Sequence, residues 1–527
     1  MVAALLLIAT QAMSAPPDTV VVCPSHFRQA LRPWIAHRQA EGHQLAFVTN
    51  VATPQGIRAD IRQAARGGKL RFVVLVGDAE PTVSTDHRTV ARSVPTYLTE
   101  AQINVQWGSE PDIATDNWYA DLDDDRIPDV AVGRLSVDTP TELKSVVKKI
   151  LAYERLRSAN VRRRNIHFIA GASGFGMLAD MLLENTAKKI LTDGIPAEYE
   201  TTMTYANWRS PYCPSPVRFE QTVLGRLDEG CFVWVYLGHG HRTRLDYIHT
   251  PAGYAPVLEA ETVARLNCPP AAPIAVLLAC YAGAFDGPTE CLAELMLRAE
   301  KGPVAVICGS RVTMPYGMSL LGTGLLREFF TAQQPTLGEV LLHSKRGMTC
   351  SRHASQRKLL DSVAKAVSPA PEQLGAECLE HLDLFNLLGD PLLKLRYAER
   401  VTLELPKYVD AGQSIQVRGV SPIPGKLLLE VVCRRDRLTF QPKPRHEFEL
   451  SATALQSMNE VYQQANDKRW ASRQYTIGIG EFKLDLDVPA RAQGPCHVRA
   501  CVQSDNRQAL GAADVYVRRP TTEPRKR

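Results

Sequence analysis

Six short runs set the terms for this chain: "TVVVC" (19–23), "RFVVLVGD" (71–78), "IHFIAG" (166–171), "CFVWVYL" (231–237), "IAVLLAC" (274–280) and "PVAVICG" (303–309). Each is apolar at nearly every position and rich in β-branched residues. Strands buried on both faces read this way, and strands with one wet face do not. Between the runs lie helical patterns such as "HFRQALRPWIAHRQAEG" (26–42) and the stretch 139–158, which opens with Thr139, Pro140 and Glu142. Strands joined through helices give right-handed crossovers, so the first 400 residues are expected to be α/β with parallel strands and flanking helices.

Beyond residue 400 the texture changes to period-two alternation with turns rich in Pro and Gly, as in "VTLELPKYVDAGQSIQVRGV" and "FKLDLDVP". That predicts an all-β sandwich. The expected divisions are a signal segment at 1–15, an N-terminal α/β subdomain at 16–160, a second α/β subdomain at 161–399, a β-sandwich at 400–518 and a disordered tail at 519–527. "MVAALLLIATQAMSA" has the short apolar run and small-residue spacing of an export signal, so a secreted, periplasmic or cell-surface location is expected. No other stretch approaches the ~18 apolar residues of a membrane span. The formal net charge is only +5. The densest basic run, "VRRRN" (161–165), has no interleaved aromatics, so it reads as the edge of a solvated element and no nucleic-acid partner is expected. Twelve cysteines with no CxxC pair speak against a zinc ribbon, and Cys496 and Cys501 are close enough in sequence to be a candidate bridge.

In an open parallel sheet, reactive groups collect just past the carboxyl ends of the strands. His239 stands second past "CFVWVYL", and Cys280 ends "IAVLLAC". If the two strands are neighbours, a thiol and an imidazole share one small volume, as nucleophilic thiol catalysis requires. Gly238 and Gly240 let the backbone turn and approach a substrate closely. The amides of Gly240 and Cys280 are candidate donors to an oxyanion. A rival reading takes the histidines of "GHGHRTRLDYIH", His239, His241 and His249, with Asp246, as a metal-dependent hydrolase site. "DLDDDRIPD" places Asp121, Asp123, Asp125 and Asp129 at positions one, three, five and nine of a calcium-type loop, with Arg126 where glycine normally turns.

"DNWYADLDDDRIPDVAVGRL", "YLGHG", "LLACYAGAFDGPTECLAELMLRAEKGPVAVICGS" and "FNLLGDPLLKL" together resemble the gingipain family of cysteine peptidases, in the fold group of caspases and legumains. The resemblance covers about residues 19–400. It implies two caspase-like subdomains, an immunoglobulin-like domain after them, a His239–Cys280 dyad in the second subdomain and a polypeptide substrate cut by endopeptidase chemistry. It supports a structural calcium, while the chemistry itself requires no cofactor. Gingipains cleave after Arg or Lys, and the acidic residue of the specificity pocket falls near Asp180, although the preceding "GASGFG" carries no acid. Tyr281 and Tyr316 are candidates for an aromatic wall. A non-catalytic relative using the β domain as a binding module is the alternative from another class.

Overall fold

The computed structural model describes residues 15–49, 52–79, 93–155, 161–172, 192–350, 355–368, 370–505 and 507–519. The signal segment, apart from residue 15, and nearly all of the tail lie outside them. The first nine strands are β1 (Thr19–Val22), β2 (Leu45–Val48), β3 (Phe72–Val76), β4 (Tyr97–Glu100), β5 (Asp112–Thr115), β6 (Ala131–Leu135), β7 (Asn165–Ala170), β8 (Glu200–Tyr205) and β9 (Val233–Leu237). They are followed by β10 (Gly240–His241), β11 (Arg244–Leu245), β12 (Tyr247–Thr250), β13 (Gly253–Pro256), β14 (Ile274–Leu278), β15 (Ala305–Gly309) and β16 (Phe385–Leu388).

Ten of these form one sheet in the order β2-β1-β3-β6-β16-β15-β14-β9-β7-β8. All neighbours are parallel except β15 and β16, which run antiparallel. The α/β part is therefore two parallel halves of opposite direction, and the two subdomains expected from the sequence share one sheet that is fused at a seam. The fusion follows from β16. It comes late in the chain, directly after the helix Leu374–Leu384, and inserts between β6 of the first half and β15 of the second. One apolar core runs through both halves, from Val21 and Trp34 to Leu392.

The motif blocks that stand out in the sequence are the polar locks of this seam. Arg134 of "VGRL" is fully buried and grips Asp116 of "DNWY" with two bonds, Nε to Oδ2 at 2.8 Å and Nη2 to Oδ1 at 2.7 Å. The Asp116 amide donates to Asn386 Oδ1 at 2.9 Å. Gly133 allows the "GDP" turn to approach, because a Cβ there would lie 2.5 Å from the Gly389 carbonyl oxygen.

Between β3 and β6 lie the β4–β5 hairpin and the short helix Asn117–Ala120. One expectation needs correction here. The basic run 161–165 does not edge a solvated face: Arg163 donates to the Tyr153 carbonyl, and Arg164 reaches Glu200 and Glu430, both arginines being buried.

After residue 399 two sheets face each other across a core that includes Val417, Leu427, Leu429, Leu486 and Val498. Ser414–Ser421 alternates strictly between exposed and buried residues, as a half-buried strand should. The region is not all-β. The helix Ala452–Asn466, capped by Ser451, leaves the sandwich and docks on the α/β part. Its Tyr462 hydroxyl shares a hydrogen bond with Thr204 (2.7 Å), and its Asn466 side chain bonds both the amide and the carbonyl of Met203. Cys496 and Cys501 are both free thiols. They sit five residues apart on one strand, so their side chains leave opposite faces and cannot bridge.

Candidate active site

β9 and β14 are adjacent and parallel, with Leu237 opposite Leu278. His239 and Cys280 each stand two residues beyond that last pair, so both lie past the same carboxyl edge on neighbouring strands. His239 is exposed and Cys280 half-buried.

Both glycines beside His239 are demanded by crowding. A Cβ on Gly238 (φ 159°) would come within 2.7 Å of the Tyr236 hydroxyl and 2.9 Å of Gly171 Cα. A Cβ on Gly240 would come within 2.6 Å of the Cys280 carbonyl oxygen and 2.8 Å of Ala279 Cβ. The histidine loop is thus pressed against the cysteine's own backbone. Among the described residues the Cys280 amide meets no backbone acceptor. The next residue, Tyr281, takes a left-handed conformation (φ 56°), uncommon for a bulky side chain and tolerated where neighbours impose it.

The sulfur is held by a third strand end. Thr313, just beyond β15, donates its amide to Cys280 Sγ at 3.3 Å, and its carbonyl lies 3.5 Å from the same sulfur. A thiolate can keep that amide donor. The Thr313–Gly317 segment rests on the helix Leu374–Leu384. The Met314 amide donates to His381 Nε2 at 3.0 Å, while His381 Nδ1 donates to the Glu377 carbonyl at 2.7 Å. Complete burial keeps this imidazole neutral, with a pKa pushed down to about 4, so Nε2 remains an acceptor. Glu377 Oε1 accepts the Gly317 amide at 2.9 Å, and burial raises its carboxyl to about 7.

The histidine side has its own support. The fully buried Tyr236 donates its hydroxyl to the His239 carbonyl at 2.6 Å and accepts the Asp246 amide at 3.4 Å. Tyr236→Phe removes that tether and leaves the aromatic packing in place. We expect kcat to fall about 10-fold with KM little changed, because one buried hydrogen bond sets the loop position. Steady-state kinetics on the best peptide substrate, with thiol labelling as the control for an intact Cys280, measures this.

Of the wall candidates, Tyr281 is a near neighbour by sequence alone, and its hydroxyl donates to Glu110 Oε2 at 2.7 Å. Tyr316 opens the helix Pro315–Arg327 but spends its hydroxyl on Asp361 (2.7 Å) and Arg357 (2.9 Å). Asp180 lies outside the described residues. His239, His241, Asp246 and His249 form no group of three converging metal-ligand atoms among the described residues, so the metal-hydrolase reading lacks its geometry. Asp246 instead accepts the amides of Ala172 and Tyr247.

In the acidic loop, ligand oxygens of Asp121, Asp123 and Asp129 lie within 4.8 Å of one another. Asp125 is not part of that group and accepts the Ile127 amide at 2.7 Å. Arg126 takes the left-handed turn that glycine normally makes (φ 70°), held by its bond to Asp383 at 2.7 Å. Arg58 already pairs with Asp121 at 3.1 Å. The three carboxylates therefore fit a cation, in competition with this guanidinium.

Sequence reading did not find Thr313, Tyr236, His381 or Glu377. Thr313 was within reach of the strand-end rule, since "PVAVICG" is one of the six runs. The other three act through backbone groups and leave no motif.

A thiol and an imidazole delivered to one edge of a mixed α/β sheet define the class: an α/β fold of cysteine-peptidase type. The chain belongs to Peptidase family C25, whose profile matches residues 12–396. Lys-gingipain of Porphyromonas gingivalis is 24% identical over 309 residues, which is 56% of this chain and 16% of that protein. Gingipain R2 of the same species is 22% identical over 362 residues, 65% of this chain and 44% of that protein. The matches thus span less than half the length of these relatives. The crystal structure of the Arg specific cysteine proteinase gingipain R shares the fold, with a TM-score of 0.52 at 15% identity, covering 96% of this chain and 99% of that one.

Proposed function

We propose that this protein is an exported cysteine endopeptidase with Cys280 as nucleophile and His239 as acid and base. The observation that carries the reading is the β9–β14 register, which puts both residues two steps past one sheet edge. His239 takes the thiol proton as sulfur attacks the peptide carbonyl carbon. The amides of Gly240 and Cys280 hold the oxyanion. His239 then protonates the leaving amine, giving an acyl-thioester and a free amino terminus. Water, deprotonated by His239, attacks the thioester carbonyl and restores the thiolate. Thiol–imidazole chemistry of this kind needs no cofactor.

The names of the relatives, Lys-gingipain and the Arg specific gingipain R, support cleavage after basic residues, with Asp180 as the carboxylate that reads them. The export-signal pattern of residues 1–15 supports a location outside the cytoplasm. Among the described residues no helix is long and apolar enough to cross a membrane. The two facing sheets after residue 399 support an immunoglobulin-like sandwich.

Profiling a peptide library with the purified protein tests the reading. Cleavage after Arg or Lys, lost in Cys280→Ala, is expected. Asp180→Ala should abolish the basic preference and leave the thiol labelled. A protein that neither cleaves nor takes an active-site alkylating probe is the non-catalytic relative.

For the acidic loop we infer one structural calcium on Asp121, Asp123 and Asp129. Millimolar CaCl2 is expected to raise Tm by a few degrees where MgCl2 does not, and Asp123→Ala to erase the shift. Identical melting curves in calcium and in chelator mean that Arg58 alone closes the loop.

A further inference from the structure

A cavity of about 20 Å³ lies between the lead into β8 and the C-terminal sandwich, far from both strand ends of the active site. Its lining includes Arg435, Lys468, His497 and Arg499, against one carboxylate, Glu200. That carboxylate is already held by Arg164 at 2.9 Å.

The cations are poorly neutralised. Arg435 is half-buried and spends its guanidinium on the carbonyls of Ile195, Pro196 and Tyr199. No carboxylate pairs with it among the described residues. Lys468 Nζ donates to the Tyr212 hydroxyl at 2.8 Å and the Arg437 carbonyl at 2.7 Å, again without an acid. Arg499, 5% exposed, shares Glu430 with Arg164 and leaves its Nε without a partner. The remaining acids nearby are engaged: Asp436 with Arg434, Asp467 with Arg469, Asp514 with His497. Burial, together with the charge of Arg499, pushes Arg435 down to about 9, and burial pushes Lys468 down to about 8. Positive charge drawn partly out of water with too little counter-charge is expensive, and a bound water would supply a dipole but no charge. The volume admits a particle the size of one or two waters.

We propose that this cavity binds a monatomic anion of chloride size, which neutralises Arg435, Lys468 and Arg499 and fastens the sandwich to the α/β part. Glu198, the acid that also acts on Arg435, and Glu200 limit the site to a single negative charge.

The test uses the full chain at constant ionic strength, with chloride exchanged for gluconate, which is too large to enter. Tm is expected to fall by about 2–4 °C as chloride is withdrawn, with a saturable dependence. Crystals grown in sodium bromide should show an anomalous peak in the cavity, and that peak should vanish in Arg435→Gln. A Tm indifferent to the exchange, or a cavity without bromide in the unaltered protein, overturns the proposal.

Discussion

Cys280→Ala is expected to lower kcat/KM for peptide cleavage by about 10⁴- to 10⁶-fold while leaving the fold intact. The size of the loss follows from the role: without the sulfur no acyl-enzyme forms, and the oxyanion donors alone leave a small residual rate. The intact fold follows from the surroundings. Cys280 is half-buried, and its sulfur touches Thr313 at the rim of the sheet, with no place in the apolar core. The other described cysteines make the test clean. Ten of the eleven described thiols are buried. Burial raises the pKa of each, to about 12 for Cys23, Cys213, Cys268 and Cys496. A raised pKa and a closed surface both suppress alkylation. Brief iodoacetamide treatment of the native protein, read by peptide mass mapping, should therefore modify Cys280 ahead of those ten. His239→Ala is expected to lose a comparable share of kcat/KM, with Cys280 still present but alkylated more slowly. A Cys280→Ala variant that cleaves peptides at the original rate removes the thiol mechanism.

Much of the site was legible because it rests on strand ends. An apolar run buried on both faces announces itself, and its last residue fixes where a reactive group emerges. That is why His239 and Cys280 could be paired before their strands were known to be neighbours. The same logic extends to Thr313 past β15, which was overlooked because a threonine carries no catalytic expectation. Tyr236, His381 and Glu377 were out of reach for a different reason. They hold backbone amides and carbonyls, so nothing in their own spacing reveals the partner, and His381 reads as one more helical residue until Met314 is seen against it.

The seam was not legible in the sequence. Periodicity identifies strands but says nothing of their order, and β16 joins the half that its place in the chain argues against. The helix Ala452–Asn466 was missed because flanking alternation carried the reading straight through it. The motif blocks around "DNWY", "GRL" and "GDP" were read as marks of resemblance. Their chemistry is structural: Asp116 joins Arg134 and Asn386 where the two halves fuse.

That structural reading has its sharpest consequence at Asp390, the aspartate of "GDP". Its Oδ2 accepts Trp34 Nε1 at 2.5 Å and Arg38 Nη2 at 2.6 Å, and its Oδ1 accepts the Leu392 amide at 2.9 Å. Arg38 is fully buried and also bonds both oxygens of Glu154 at 2.9 Å, while Glu154 Oε1 takes the Lys394 amide at 2.8 Å. One cluster thus ties the helix Arg28–Ala40, the helix Pro140–Arg155 and the turn after β16. The carboxylates hold the Arg38 guanidinium charged well above its ordinary range in spite of burial. Asp390→Ala strands an indole N–H, an amide and part of a buried cation at once. The expected cost is about 3–5 kcal/mol, the range for breaking a buried pair by removing one partner. Asp390→Asn keeps an acceptor for the indole and should cost less. Urea unfolding midpoints measure both, and the surviving folded fraction at low temperature should still label at Cys280, because the cluster lies off the catalytic edge. A midpoint unchanged in Asp390→Ala shows that apolar contacts alone hold the seam, and the polar locks are then ornaments of a core that does not need them.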